Sequence, residues 1–282
     1  MEFIYKLEKS SKKYTCPKCD KKTYVRYVDD NGNYPEYIFG RCDREQSCGY
    51  LNIPNDKQES VGYSFAEKKV IQPSLIPYGD GANTFKDYDK NSFCKWLMSK
   101  VGVDKFNEAL EMYQFGICQD VVGCKEWVIF WQVDIDMNCR SGKIIKYGID
   151  GRRDKNSFTT WFHKVKKYDD FNLVQCFYGE HLLSSDERKP IAIVESEKTA
   201  IIASCFIDGY IWLSSGGKGG LNKNKCKVLD GRNVTLFPDL GAYEDWNEKA
   251  KELGFKISDA LEKRSTEEEK KQGLDIADYL IK

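Results

Sequence analysis

Two groups of residues in this 282-residue chain have the types and spacing for chemistry. The first is Cys16-Pro-Lys-Cys19, followed by Cys42 and Cys48. The first pair has the usual CxxC spacing, while Cys42-Asp-Arg-Glu-Gln-Ser-Cys48 is a longer second knuckle. Four thiolates brought together enclose one Zn²⁺ tetrahedrally, and Gly49 next to Cys48 permits the tight turn this needs. The second group is acidic. Glu195 directly follows the apolar run Pro190–Val194, and Asp239 follows Asn233–Phe237 and Pro238. A carboxylate at the end of a buried strand requires a cation, a hydrogen-bond donor or water, because burying it alone is costly. A plainer reading is that Glu195 and Glu197 decorate a helix N-terminus, where negative charge is favourable.

The elements that must position these residues follow from periodicity. Ile191–Val194, Tyr210–Leu213, Asn233–Phe237 and Phe255–Ile257 read as short buried strands. Ser196 offers an N-cap for a helix over Lys198–Cys205. A short helix over Asn222–Leu229, a helix over Gly241–Leu253 and a closing helical segment over Asp275–Ile281 complete the alternation. Strands alternating with helices predict a parallel sheet covered on both faces. The carboxyl ends of parallel strands share one edge, so Glu195, the loop Ser214–Gly220 and Asp239 are expected to meet there. That loop, with Lys218 among its glycines, lacks the GxxxxGK[ST] spacing of an ATPase P-loop. One lysine beside carboxylates still suits a crevice that handles phosphate.

Upstream, Lys22–Val28 and Tyr37–Gly40 flank the turn-rich Asp29–Asn33 and read as a hairpin carrying both cysteine pairs to one end. Tyr24, Arg26, Tyr27, Tyr34 and Tyr37 mix aromatic and basic groups on it, a pattern fit for base stacking with phosphate contact and equally for ordinary strand tyrosines. Residues Pro54–Gly81 read as a linker with one short helix. Asp89–Leu110 carries Phe93, Trp96, Leu97, Val101, Phe106 and Leu110 at helical steps and reads as a packed helix pair. Trp127–Val133 and Lys143–Tyr147 read as paired strands around the turn Asp134–Gly142.

Charge is neutral overall, with 44 Lys+Arg against 44 Asp+Glu, so any nucleic-acid footprint has to be local. One such excess exists. Arg140, Lys143, Lys146, Arg152, Arg153, Lys155, Lys164, Lys166 and Lys167 stand against only Asp150 and Asp154, with Trp161, Phe162 and His163 interleaved. The alternative is a solvated β-surface. Mean hydropathy is −0.60, no apolar run approaches a membrane span, and the first residues carry no signal-peptide core. A cytoplasmic protein without membrane contact is expected. Eleven cysteines without an export signal point to reduced thiols and metal ligation. Cys94, Cys118, Cys124, Cys139, Cys176, Cys205 and Cys226 lack comparable spacing and read as core or incidental.

IVESEKTAII around Glu195, TLFPDLGAYEDW around Asp239 and GLDIADYLI around Asp275 resemble the three acidic motifs of the toprim fold of bacterial primases, topoisomerases and phage primase-helicases. With the four-cysteine segment ahead and FGI…VIFWQVDIDMNCRSGKIIKYG between, the order is similar to that of compact primase-like proteins of plasmids, phages and conjugative elements. The resemblance implies an α/β chain with four parts: a zinc ribbon over 1–55, a linker over 56–81, a basic α+β nucleic-acid-binding region over 82–185 and a toprim-like domain over 186–282. It implies DNA replication, with single-stranded DNA and nucleotides bound, primers synthesised and a separate replicative helicase as partner. Glu195, Asp239 and Asp275 would hold Mg²⁺ or Mn²⁺, with Glu195 and Asp239 catalytic. Lys218, Arg152, Arg153, Lys146 and Lys164 would contact phosphates. Where the family pattern has a second Asp, this chain has Gly241. That departure keeps two other readings open: a weakened toprim protein that binds DNA as a replication accessory, and a toprim nuclease.

Overall fold

The cysteine-bearing segment is a four-stranded antiparallel ribbon, β1 (Tyr5–Leu7), β2 (Tyr24–Asp29), β3 (Gly40–Cys42) and β4 (Leu51–Asn52), paired in that order. This computed structural model describes residues 4–44, 48–54, 72–119, 123–217 and 219–282. The chain divides into two compact units, Met1–Ile71 and Gln72–Lys282. Most of the expected linker, and Lys218, lie outside the described residues; residues 72–81 contain no helix. The buried centre of the ribbon is Cys16, Tyr24, Cys42 and Cys48, with Tyr14, Cys19 and Tyr50 against it.

In the second unit, α1 (Ser92–Val101) buries Phe93, Cys94, Leu97 and Val101 on one face, and α2 (Val103–Tyr113) buries Phe106, Ala109 and Tyr113. Gly102, at φ 84°, separates them; a residue with a Cβ would be strained there. Asn91 caps α1 by accepting from the Cys94 N–H at 3.1 Å, and its own amide donates to Glu126 O at 2.6 Å. Asn91→Ala is expected to cost about 1–2 kcal/mol, read as a lowered thermal midpoint.

An antiparallel sheet follows, β5 (Gly116–Ile117), β6 (Val128–Val133), β7 (Cys139–Ile145) and β8 (Thr160–Trp161), in that order. Along β6, Val128 and Phe130 face the α1–α2 core, while Ile129 and Trp131 face Ile144 and Phe162, so the strand is covered on both sides. The expected long turn Asp134–Gly142 is shorter than its composition indicates, because β7 begins at Cys139. The Asp134 carboxylate accepts from the N–H groups of Asp136 and Asn138 and from Arg140 Nε, closing the hairpin early. A short α3 (Phe162–Val165) follows β8.

The C-terminal part is a parallel sheet built from β9 (Ile191–Val194), α4 (Glu197–Phe206), β10 (Ile211–Ser214), α5 (Lys223–Cys226), β11 (Val234–Leu236), α6 (Tyr243–Leu253) and β12 (Lys256–Ile257). Its order is β10-β9-β11-β12, every pair parallel. Ile191, Ile193, Ile211, Leu213, Val234 and Leu236 face α6 through Trp246 and Ala250. The alternate residues Ala192, Val194 and Trp212 face Ala200 and Ala203 of α4. The period of two thus fills both faces, as a buried parallel sheet requires. The polar helices α7 (Ala260–Arg264) and α8 (Glu267–Gln272) bury no residue, and α9 (Ile276–Leu280) packs back on α4. Ile201 and Ile202 of α4 join the α1–α2 core, and Tyr113 Oη donates to Trp212 O at 2.9 Å. Among the described residues no helix is long and apolar enough to cross a membrane.

Candidate functional site

The four cysteines form a thiol cluster. Cys16 Sγ lies 3.7 Å from Cys48 Sγ, Cys19 Sγ lies 4.0 Å from Cys42 Sγ, and all four lie within 4.8 Å of one another. A tetrahedron with Zn–S bonds near 2.3 Å has sulfurs about 3.8 Å apart, so the donors fit structural Zn²⁺. Local folding explains the fit. Cys16 opens a knuckle in which its N–H donates to Lys21 O and its carbonyl accepts from the Asp20 N–H. Cys48 and Gly49 both donate to Arg44 O. The Lys21 N–H lowers the Cys19 thiol to about 7, while burial pushes Cys48 up to about 12. A bound cation turns all four into thiolates.

The aromatic and basic residues of the ribbon are engaged with each other. Tyr24 is buried in the thiol cluster. The Arg26 guanidinium sits 4.6 Å from the Tyr34 ring centre and 5.0 Å from that of Tyr37, and donates to Pro35 O. The guanidinium thus packs on two tyrosine rings that themselves remain exposed, Tyr34 at 39% and Tyr37 at 44%.

The carboxylates lie on the sheet's carboxyl edge. The chain leaves β9 for β10 on one side and returns to β11 on the other, so the end of β9 is the point where strand order reverses, the usual ligand crevice of open α/β sheets. Glu195 sits there. Ser214 Oγ donates to Glu195 O, the Ser215 N–H to Val194 O and the Phe237 N–H to Ile193 O. These bonds bring the glycine loop and the Pro238–Asp239 turn beside Glu195. The Leu240 N–H donates to Leu274 O, which draws Asp275 in as well.

Asp239 Oδ1 is shielded from water and has no hydrogen-bond partner. Burial pushes the Asp239 carboxyl up to about 8, with the negative charges of Asp275, Glu195 and Asp278 adding and the Lys198 ammonium opposing. Asp275 is also raised, chiefly by burial. Its oxygens are engaged: Oδ2 accepts from Thr199 Oγ1 at 2.6 Å and Oδ1 from the Asp278 N–H at 3.1 Å, in the capping box that opens α9. Among the described residues only the cysteines meet as a ready-made group of three or more metal ligands. Gly241 stands at φ 85°, a left-handed turn position that glycine adopts without strain, and it brings no carboxylate to the edge. What this edge offers is an orphaned buried oxygen on Asp239, with the negative charge of Glu195 near enough to raise that carboxyl.

The basic residues separate by burial. Lys146, Arg152, Arg153, Lys155, Lys164, Lys166 and Lys167 are exposed, and Lys146 pairs with Asp154 at 3.1 Å. Lys143 belongs instead to the interior. Its side chain is 14% exposed and its ammonium contacts both oxygens of Glu197, itself 1% exposed, at 2.9 and 3.1 Å. Phe162 and His163 are buried too, His163 stacking on Phe171 with ring centres 4.3 Å apart and bonding Ser141 Oγ. Neither is placed to stack on a base. Sequence reasoning did not single out Lys198 or Thr199, although both lie in the first turn of the helix that follows Glu195.

The family model described as "Domain of unknown function (DUF6371)" matches residues 91–240, and a zinc beta-ribbon finger model matches residues 3–63. No curated protein matches. Solved structures that are similar include the primase fragment of the bacteriophage T7 primase-helicase protein, at 13% identity and a TM-score of 0.40, covering 88% of this chain and 89% of that one. The DnaG catalytic core is similar at 12% identity and a TM-score of 0.43, over 64% and 72%. The Aquifex aeolicus primase, with its zinc-binding and RNA polymerase domains, is similar at 11% identity and a TM-score of 0.40, over 89% and 73%.

Proposed function

We propose that this chain, which belongs to the family described as Domain of unknown function (DUF6371), is a toprim-type, primase-like protein of DNA replication that binds single-stranded DNA and joins nucleotides into primers. The observation that carries the reading is the solvent-shielded, partnerless Asp239 Oδ1 beside the charges of Glu195, Asp275 and Asp278. So much negative charge at the strand-reversal point calls for a cation. Glu195 and Asp239 would hold Mg²⁺ or Mn²⁺, whose chemistry there would be to neutralise phosphate charge and orient an attacking hydroxyl. Asp275, through Thr199 and its capping box, fixes α9 against α4 and contributes charge. Lys198 tempers the repulsion. The exposed Arg152, Arg153, Lys146 and Lys164 contact the nucleic-acid backbone, Arg being suited to bidentate contact. Lys218, on the glycine loop, is assigned to the same task. The zinc ribbon holds the single-stranded template. The setting is replication of a mobile element in the cytoplasm, with a separate replicative helicase as partner.

Gly241 at the second acidic position and the engaged oxygens of Asp275 favour one competing reading, a DNA-binding replication accessory that makes no primer. A primer-synthesis assay with labelled nucleotides and Mg²⁺ on single-stranded templates separates the two. Wild type is expected to yield labelled oligomers, and Glu195→Gln to lose about a hundredfold or more while its single-strand affinity stays unchanged. Binding without product in both assigns the accessory role. Cutting of DNA without nucleotides assigns a nuclease, and full turnover by Glu195→Gln refutes the catalytic role of Glu195.

A further inference from the structure

Two buried lysines converge on the underside of the loop that follows β10. Lys143, from β7 of the antiparallel sheet, donates to Gly216 O at 2.9 Å while bridging both oxygens of Glu197. Lys225, from α5, donates to Ser215 O at 3.0 Å, and burial lowers its ammonium below the usual lysine range. Consecutive carbonyls of the loop therefore point inward at ammonium groups from different elements. Glu197 lies two residues beyond Glu195, in the first turn of α4. The same ammonium thus touches both the loop and the turn that carries the acidic site.

We propose that Lys143 is a positioning residue, a strut that locks the glycine loop to the Glu195 turn, and not a phosphate contact despite its place in the basic run. The proposal rests on the reading of that edge as a nucleotide site. Its geometry, however, stands without it. A surface lysine contributes to nucleic-acid binding by releasing counterions; this ammonium is already neutralised by a buried carboxylate and saturated by three acceptors, two on Glu197 and one on Gly216. What it fixes is the backbone path at Ser215 and Gly216. The Ser215 N–H bonds Val194 O, the Gly216 N–H bonds Ser214 Oγ and the Gly220 N–H bonds Gly217 O. These three amides report whether the strut holds.

The test is hydrogen exchange at Ser215, Gly216 and Gly220, with amides of β9 and α6 as controls. Lys143→Met alone strands a buried carboxylate and risks unfolding. The deciding variant is therefore the double change Lys143→Met with Glu197→Leu, since apolar replacement of a whole buried pair is usually tolerated. The double variant is expected to speed exchange at the three loop amides at least about tenfold with the control amides unchanged. Lys143→Arg alone, which keeps charge and donors beside an intact Glu197, retains most of the protection. If primers are made, KM for nucleotide rises more than kcat falls. The salt dependence of single-strand binding keeps its wild-type slope. Unchanged loop exchange in the double variant overturns the strut, as does a salt slope shallower by about one counterion. Neither readout requires primer synthesis, so loss of the strut and loss of the primase reading are told apart.

Discussion

Replacing Cys42 by Ser is expected to release the ribbon's zinc and unfold residues 4–54, leaving the thermal transition of the second unit in place. The reason is the composition of the ribbon's interior. Its buried centre is three of the four cysteines and Tyr24, with Tyr14, Cys19 and Tyr50 packed around them. Four strands of two to six residues cannot offset the chain entropy of ordering with so few apolar contacts. Metal binding at structural thiolate sites supplies on the order of 10 kcal/mol near neutral pH, far more than the rest of the ribbon. Elemental analysis by emission spectroscopy checks the stoichiometry, expected to fall from one zinc per chain to none. Far-UV circular dichroism and limited proteolysis of the first unit check the unfolding. A strong chelator should give the same result on the wild type. Stoichiometric zinc retained by the Ser variant would show that the cluster is not the metal's home.

Asp239→Asn is expected to stabilise the metal-free protein above pH 8 and to remove its response to Mg²⁺. Burial and three neighbouring acids raise the Asp239 carboxyl from 3.8 to about 8. The folded state therefore holds a proton that the unfolded chain gives up. Stability from this group is full below the unfolded value and is lost as pH rises through the folded one, a decline across roughly pH 4 to 8. Asn keeps a neutral group of the same shape and should flatten that decline. Each unit of raised pKa corresponds to about 1.4 kcal/mol; relaxation and water entry reduce the sum, so a gain of roughly 2 kcal/mol, or about 4–8 °C, is expected at pH 8.5. Mg²⁺ should raise the wild-type midpoint at that pH by binding the folded form, and leave the Asn variant unmoved. Superimposable pH profiles for the two proteins would mean that Asp239 is not the strained acid of this edge.

Local signals made much of this arrangement legible. The apolar run Ile191–Val194, the Ser196 cap and the Ala- and Ile-rich stretch after it define β9 and α4 within a residue or two, because period and capping act over a few positions. The alternation that follows specifies a parallel sheet, and with it the shared edge of Glu195 and Asp239. Signals that depend on register across the fold were not legible. Lys143 read as one of nine basic residues, since its partner Glu197 lies 54 positions away. Phe162 and His163 read as aromatics interleaved with the basic run, yet the short α3 turns both inward. Asp275 read as a metal ligand by resemblance; the capping box with Asp278, spelled in the same four letters, gives it a local structural role as well. The contacts of Arg26 with Tyr34 and Tyr37 likewise form only once β2 and its following loop are folded together, so no local pattern spells them.

The two rims of the parallel sheet differ in what they offer to a passing extended chain. Beyond β10, Tyr178 bridges Ser214 in antiparallel fashion, its N–H and carbonyl both bonded to that residue, so this flank is partly sealed from within. Beyond β11 lies only the two-residue β12, with Lys256 turned to solvent. A flank this brief, with a charge at its outer position, gives a poor template for templated strand growth. The strands can therefore be rich in Ile, Val and Leu while their outer edges stay a poor match for a second chain.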